Sequence, residues 1–144
     1  MKKLTTKLMI ATAALVVVAG AVSAQTQTMK ASIPFEFRAG NRVMAAGTYR
    51  IENLSPRIGS PLFRLLNVES GGSIAVLPQA PVDPKEGWTA GNAKLLFACA
   101  GGNCALTELW SGSGRYAYKF YGPKLGKNET AVLREIPMQP AKGE

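Results

Sequence analysis

The chain has 144 residues, two cysteines, no histidine and a formal net charge of +8. This length suits one domain, and the missing histidine excludes catalysis by a Ser-His-Asp or Cys-His set as well as histidine-containing zinc sites. The basic residues are scattered among acidic ones and never form a run. That pattern is typical of a solvated surface, and it predicts no nucleic-acid partner.

The first 24 residues have the pattern of a secretory signal peptide. Lysines at positions 2, 3 and 7 precede an uncharged apolar run over residues 8–22, which ends on Val22-Ser23-Ala24. The run is shorter than the ~20 residues that a membrane-spanning helix needs. We expect cleavage after Ala24, which leaves 120 of the 144 residues and a net charge of +5. The mature protein is expected to be exported to the periplasm or the extracellular space, soluble and not membrane-spanning.

Alternating apolar and polar residues predict the first strand, in which Ile33, Phe35 and Phe37 face one side. Pro34 cannot donate a ladder hydrogen bond, so we expect an edge strand or a bulge at this point. Turn residues at 39–41 and 45–47 separate a short extended piece from the strand that follows.

The middle of the chain combines a predicted hairpin with a long loop. A short link containing glycine joins the strands at 62–68 and 73–77, which favours a hairpin. The stretch from Pro78 to Asn92 holds three prolines and two glycines and shows no periodicity. We therefore predict that it forms a loop, which at this length would be either functional or mobile.

The two cysteines lie on either side of predicted turn residues. Cys99 and Cys104 flank Gly101-Gly102-Asn103, and both glycine and asparagine tolerate positive φ. We expect the cysteines to face each other across a hairpin and to form a disulfide in an oxidising compartment. A redox-active pair is the alternative, although the Cys-X-X-Cys spacing is absent. A zinc site lacks further ligands, and no metal or other cofactor is predicted.

The predicted fold is all-β, a single small antiparallel barrel or sandwich of about eight short strands over residues 25–136, after a cleaved signal helix. The sequence does not choose between barrel and sandwich. The segment from Pro137 to Glu144 is expected to be a flexible tail. The predicted strands cover residues 33–37, 48–54, 62–68, 73–77, 94–98, 105–110, 115–121 and 130–136, with a short extended piece at 42–44.

Glu108 is the acidic residue that the predicted strands place on an apolar face. Alternation puts it on the same face as Leu106 and Trp110. If that face is buried, the carboxyl group must pair with a base such as Lys94 or Arg115, or else be protonated. We favour a structural ion pair over a catalytic acid.

Aromatic residues are the other candidates for a binding role. Tyr116, Tyr118 and Phe120 fall on one face of a predicted strand, and Trp88 lies in the long loop. Aromatic rows can hold a sugar ring or an apolar ligand, but they also fill cores. Core packing is favoured for the strand residues, and both roles stay open for Trp88 because a loop residue has less reason to be buried.

Two short motifs resemble a group of small exported soil-bacterial proteins of acidobacterial type. These are Ile33-Pro34-Phe35-Glu36-Phe37 and Ala46-Gly47-Thr48-Tyr49, which follow the signal segment in the order found in that group. The resemblance implies export and a β-rich fold, and it assigns no activity and no site residues.

Three functional hypotheses follow. The first is a non-enzymatic binding or structural module of the envelope or extracellular space, with a glycan, a protein or a small apolar ligand as its partner. The second is an apolar-ligand carrier, which requires an internal cavity lined by Tyr118 and Phe120. The third is a carboxylate-dependent enzyme acting on glycans, which requires two carboxylates in one cleft. Because no catalytic motif is present, we favour the first.

Overall fold

The computed structural model describes residues 28–55, 61–112, 116–122 and 129–141. The signal peptide expected over residues 1–24 lies outside these ranges. The described residues form two β-sheets and one 3-10 turn at Trp88–Ala90. None of their helices is long and apolar enough to cross a membrane.

The first sheet contains five antiparallel strands. In spatial order they are β12 (Gln139–Pro140), β1 (Met29–Ile33), β4 (Gly47–Asn53), β5 (Phe63–Asn67) and β6 (Ser73–Val76). The pairing of β5 with β6 confirms the predicted hairpin.

The second sheet contains seven strands, and one of its pairings is parallel. In spatial order they are β11 (Val132–Pro137), β8 (Lys94–Ala100), β9 (Asn103–Trp110), β10 (Ala117–Lys119) and β7 (Ala80–Val82), with β2 (Phe37–Ala39) against β9 and β3 (Arg42–Met44) against β2. β2 runs parallel to β9. β9 thus pairs with β2 through its first residues and with β10 through its later ones.

The two sheets pack face to face around one main core, so the all-β prediction is confirmed and the architecture is a sandwich, not a closed barrel. The described residues form twelve strands rather than eight, because several predicted strands are split or joined by short additional ones. The largest fully buried side chains come from both sheets and are Tyr49, Phe37, Phe97, Ile33, Leu65, Leu95, Leu106, Leu109 and Met138.

The chain passes from one sheet to the other at Pro34. The prediction of one continuous strand over residues 33–37 is wrong, because β1 ends at Ile33 in the first sheet and β2 begins at Phe37 in the second. Proline lacks the N–H that would continue the ladder. Ile33 and Phe37 are nevertheless both buried, and Phe35 packs edge-on against Phe97 with ring centroids 5.1 Å apart. The apolar pattern therefore identified the core residues correctly, but it assigned residues of two different strands to a single one.

A tight side-chain contact fixes the start of β4. A Cβ atom on Gly47 would lie 2.9 Å from Nδ2 of Asn67, and the φ of Gly47 is +155°. Asn67 is buried because its Oδ1 accepts hydrogen bonds from the backbone N–H groups of Glu69 and Ser70. The hydroxyl of Tyr49 donates to the carbonyl of Ala45 at 2.6 Å. The Gly-Thr-Tyr sequence therefore suits the start of β4, because Gly47 leaves room for Asn67 and Tyr49 bonds to the preceding turn.

Residues 78–92 are not a loop throughout. Residues 80–82 form β7, which pairs with β10 and extends the second sheet. Pro81 is tolerated there because β7 is an edge strand. The residues that follow β7 place the side chain of Trp88 against the second sheet.

The C-terminal segment is ordered as far as it is described, so the predicted flexible tail is wrong for residues 137–141. Met138 is 0% exposed, and its backbone N–H donates to the carbonyl of Ala93 at 2.8 Å. β12 then pairs with β1 in the other sheet. Met138 thus anchors the crossing between β11 and β12, and residues 142–144 lie outside the described ranges.

Met138→Ala is predicted to lower the free energy of unfolding by about 2–5 kcal/mol, because it removes a fully buried side chain from the core. Val132→Ala is the matched control, since Val132 is 62% exposed on β11, and we expect a change below about 0.5 kcal/mol. Urea unfolding of both variants measures the difference. Equal stability of the Met138 variant and the wild type would contradict an anchoring role.

Candidate functional site

The outer face of the second sheet, which points away from the first sheet, carries a second apolar cluster in addition to the main core between the sheets. Leu95, Phe97 and Cys99 of β8 point into the main core, whereas Leu96 belongs to a separate outer cluster. Ala98 is buried but belongs to neither cluster. The alternation of β8 therefore divides its residues between the core and a second, outward-facing surface.

A β-bulge in β9 changes which residues share a face. Phe97 pairs with Leu106 and Leu96 pairs with Glu108, so the register shifts by one residue at Thr107. Leu106 lies in the main core, while Trp110 lies in the outer cluster. The prediction that Glu108 shares a face with Leu106 is therefore wrong, because the bulge turns Glu108 to the outer face together with Trp110.

The predicted ion pair of Glu108 with Lys94 is absent. Lys94 Nζ instead lies 3.5 Å from Oε2 of Glu135. Among the described residues, Oε2 of Glu108 has no hydrogen-bond partner although that atom is buried. Arg115, the other predicted partner, lies outside the described residues. Thr107, at the bulge, donates from Oγ1 to the carbonyl of Leu96 at 3.1 Å.

Trp88 is buried on the outer face, where it fills a small apolar cluster. Only 2% of the residue is exposed, and it packs with Leu96, Trp110 and Ala117. Its indole Nε1 donates a hydrogen bond of 2.8 Å to Oε1 of Glu135. Of the two roles left open for Trp88, the structure favours packing: its ring attaches residues 83–93 to the sheet.

The partner of Trp88 carries a stabilised negative charge. The hydrogen bond from Trp88 contributes most to lowering the pKa of Glu135. Partial burial opposes this effect, and the ammonium group of Lys94 lowers the pKa further. The carboxylate therefore links the loop residue to β11 on one side and to β8 on the other.

The three strand aromatics occupy different environments. Phe120 is buried and Tyr118 is half-buried, and their rings lie 6.1 Å and 5.3 Å from the Phe63 ring in the opposite sheet. Tyr116 is 42% exposed. Phe63 fills the space in which a carrier would hold its ligand next to Tyr118 and Phe120, so these two residues act as core packing.

The cysteine hairpin has the predicted geometry. Cys99 and Cys104 are directly opposite on β8 and β9, and their sulfur atoms lie 2.05 Å apart, which is bonding distance. Gly101 and Gly102 form the two-residue turn with φ of +57° and +85°, values that favour glycine at both positions. Within the described residues, no group of three or more Cys, Asp or Glu side chains could hold a metal ion.

A surface groove of about 530 Å³ lies beside this hairpin, where β2 runs parallel to β9. We call it the outer groove. Arg38 stands next to Ala105 of β9 on one side and Val43 of β3 on the other, as the strand registers require. The outer groove is lined by the side chains of, among others, Glu36, Arg38, Val43, Asn103, Ala105 and Tyr121.

The polar side chains of the outer groove make no contacts with other polar groups of the described protein. Across residues 28–55, 61–112, 116–122 and 129–141, the side chains of Glu36, Arg38, Asn103 and Tyr121 make no hydrogen bond or ion pair. Elsewhere Glu52 pairs with arginine side chains and Glu135 is held by Trp88 and Lys94. The groove thus presents one cation, one anion, one amide and one phenol to solvent.

None of these four residues was identified as a candidate from the sequence. They come from three separate segments, which the parallel pairing of β2 with β9 and the antiparallel pairing of β10 with β9 bring together. The sequence offered one local indication of a binding role. Asn103 and Tyr121 each lie next to turn residues, where binding side chains are common. The predicted candidates Trp88, Tyr118 and Phe120 lie outside the groove.

No protein-family model, no curated protein and no solved structure matches this chain.

Glu135→Gln is predicted to make the stability of the protein less dependent on pH. A carboxyl whose pKa is lowered in the folded state adds stability that is complete above its unfolded pKa, about 4.3, and is lost as the pH falls through the folded value. Since 44% of the Glu135 side chain is exposed, the contribution should stay below about 1 kcal/mol. The melting-temperature difference between wild type and variant should therefore shrink between about pH 6 and pH 3.

Glu86→Gln is the control for this measurement, because Glu86 is exposed and lies two residues from Trp88. A Glu86 variant that changed the pH profile as much as the Glu135 variant would contradict the role of the Trp88 hydrogen bond.

Proposed function

We propose that this protein is an exported, non-enzymatic binding module of the cell envelope or extracellular space, and that the outer groove is its binding site. The observation that carries the proposal is the group of four polar side chains that line one concavity and have no partner within the described residues. Binding sites are typically concave and combine apolar surface with a few such groups. The groove volume of about 530 Å³ lies within the range of small-molecule sites.

Export is supported by two independent features. Residues 1–24 have the charge, apolar run and small-residue ending of a signal peptide. Cys99 and Cys104 lie at bonding distance, and disulfides persist mainly in oxidising compartments.

A non-enzymatic role is supported by the acidic residues of the groove. Among the described residues, its lining contains one carboxylate, Glu36, whereas glycoside hydrolysis generally requires two carboxyl groups facing each other. Glu52 lies on the first sheet in contact with Arg64, and Glu135 is engaged by Trp88. Neither is positioned to work with Glu36.

Export predicts a defined chemical form of the secreted protein. Expression of the full chain with a bacterial secretion system should give a product that begins at Gln25 and is two hydrogens lighter than the reduced mass, because cleavage follows Ala24 and the cysteines are bonded. Intact-mass spectrometry with and without a reductant measures both. A product that retains Met1, or that gains no mass on reduction, would contradict export or the disulfide respectively.

Binding through the outer groove predicts that the double variant Arg38→Ala, Tyr121→Ala loses affinity for isolated bacterial envelope material. The loss should be at least about tenfold, because hydrogen bonds to a charged group contribute about 1.5–3 kcal/mol and 1.4 kcal/mol corresponds to tenfold. Co-sedimentation with the purified envelope fraction measures the bound protein.

The matched control is the double variant Lys119→Ala, Leu77→Ala. It also removes one exposed cation and one exposed large side chain, but both positions lie outside the groove. Its binding should equal that of the wild type. Melting temperatures of both variants establish that they fold, and equal loss in the two, or none in the groove variant, would overturn the proposed site.

A further inference from the structure

We infer that the outer groove binds an uncharged glycan. This inference rests on the proposed function, since it assigns a ligand class to the site proposed above. Five features of the groove support it: the exposed ring, the planar polar side chains, the charge balance, the strand pairing and the small residues.

The exposed ring of Tyr121 offers a platform for a sugar. Its residue is 76% exposed, the highest value among the large hydrophobic residues described. Leaving an aromatic ring in water is unfavourable, and the apolar C–H face of a pyranose ring can cover it. Val43, 56% exposed, lines the same concavity. The groove therefore holds apolar surface for one face of a sugar and keeps its polar groups for the hydroxyls.

The polar side chains suit paired hydroxyl groups. The guanidinium of Arg38 offers a planar set of donors, the carboxylate of Glu36 offers two acceptor oxygens, and the amide of Asn103 offers both kinds. Each of these groups can contact two neighbouring hydroxyls at once. All three are exposed and, within the described residues, are free of intramolecular partners.

The charge balance of the groove disfavours charged ligands. Among the described residues that line it, Arg38 and Glu36 are the only charged side chains, and their formal charges cancel. A polyanion gains affinity from several cations and would be repelled by Glu36. An apolar ligand, in contrast, would leave three polar side chains desolvated without partners, which costs free energy.

The strand pairing of the groove disfavours an extended peptide. Peptides often bind by adding a strand to a free sheet edge. β2, which forms one wall, is already paired with β3 on one side and with β9 on the other. Among the described residues, β2 itself thus has no free edge for strand addition, and the free edge of β3 lies on its side away from β2.

Small residues keep the groove open for a ring. Gly40 and Gly102 line it with φ of +60° and +85°, so larger residues at these positions would be strained. Ala105 lines it beside Arg38 in the strand register. A Cβ atom on Gly40 would meet Val76 and Ile74 of the first sheet, whereas one on Gly102 would meet nothing within 4 Å. A ligand can therefore approach the backbone closely at Gly102 and Ala105.

Affinity electrophoresis of the folded mature protein in gels containing a soluble polysaccharide tests the inference. The neutral probes are mixed-linkage β-glucan, xyloglucan, glucomannan and dextran, and the charged probe is polygalacturonate. We expect retardation by at least one neutral probe and none by polygalacturonate. Retardation should persist between about 0.05 and 0.5 M NaCl, because salt screens binding between charges and affects uncharged ligands little.

Variants then connect the binding to the groove. Tyr121→Ala and Asn103→Ala should each weaken binding to the retarding polysaccharide about tenfold, as expected for central contacts of a site. Tyr121→Phe, which keeps the ring, should bind within about twofold of wild type. The double variant Lys119→Ala, Leu77→Ala should bind as wild type does.

The outcomes separate this inference from the function on which it rests. If the groove variant loses envelope binding but no neutral probe retards the protein, the uncharged glycan is wrong and the binding module stands. Retardation by polygalacturonate that disappears at high salt would also overturn the glycan. If groove variants leave envelope binding unchanged, both proposals fail.

Discussion

Phe37 makes the contact on which the arrangement of the two sheets depends. Its ring lies 5.2 Å from Tyr49 in the first sheet and 5.3 Å from Phe97 in the second, centroid to centroid. Its backbone pairs with Cys104. Because Phe37 belongs to β2 and is buried between both sheets, the chain must leave the first sheet before this residue. Pro34 lacks the N–H that would continue the ladder, and this break permits the crossing. The parallel β2–β9 pairing follows from this crossing, and with it one wall of the outer groove.

The bulge at Thr107 has a comparable effect within the second sheet. It lets one strand pair with β2 near its start and with β10 after the bulge, so that the groove and the Trp88 cluster share the outer face without overlapping. It also turns Glu108 away from the core, which removes the need to bury its charge between the sheets. Packing around Trp88 covers one part of this face and leaves the part beside β2 accessible.

The sequence predicted the features that depend on local chemistry. The hairpin of Cys99 and Cys104 follows from adjacent turn glycines, and the core positions of Ile33 and Phe37 follow from alternation. The misassigned elements depend on distant partners. Met138 is an isolated apolar residue in a polar segment, and only the Ala93 carbonyl and the core beneath it explain its burial. Glu108 was misplaced because strict alternation was continued through the bulge at Thr107, which reverses the facing of every side chain beyond it.

The groove residues could not be grouped in advance for the same reason. Arg38 and Asn103 are 65 positions apart in the sequence, and a parallel pairing between short strands carries no hairpin or crossover signature. What groups them is a property of the folded protein, namely that they line one concavity beside a disulfide-braced hairpin. Because the wall that carries Asn103 is held by the Cys99–Cys104 bond and the opposite wall by Phe37, the groove is largely formed before a ligand arrives. A preformed site loses little conformational entropy on binding. Weak contacts to hydroxyl groups can then give measurable affinity, which is why a rigid sandwich suits a ligand that offers neither charge nor a large apolar surface.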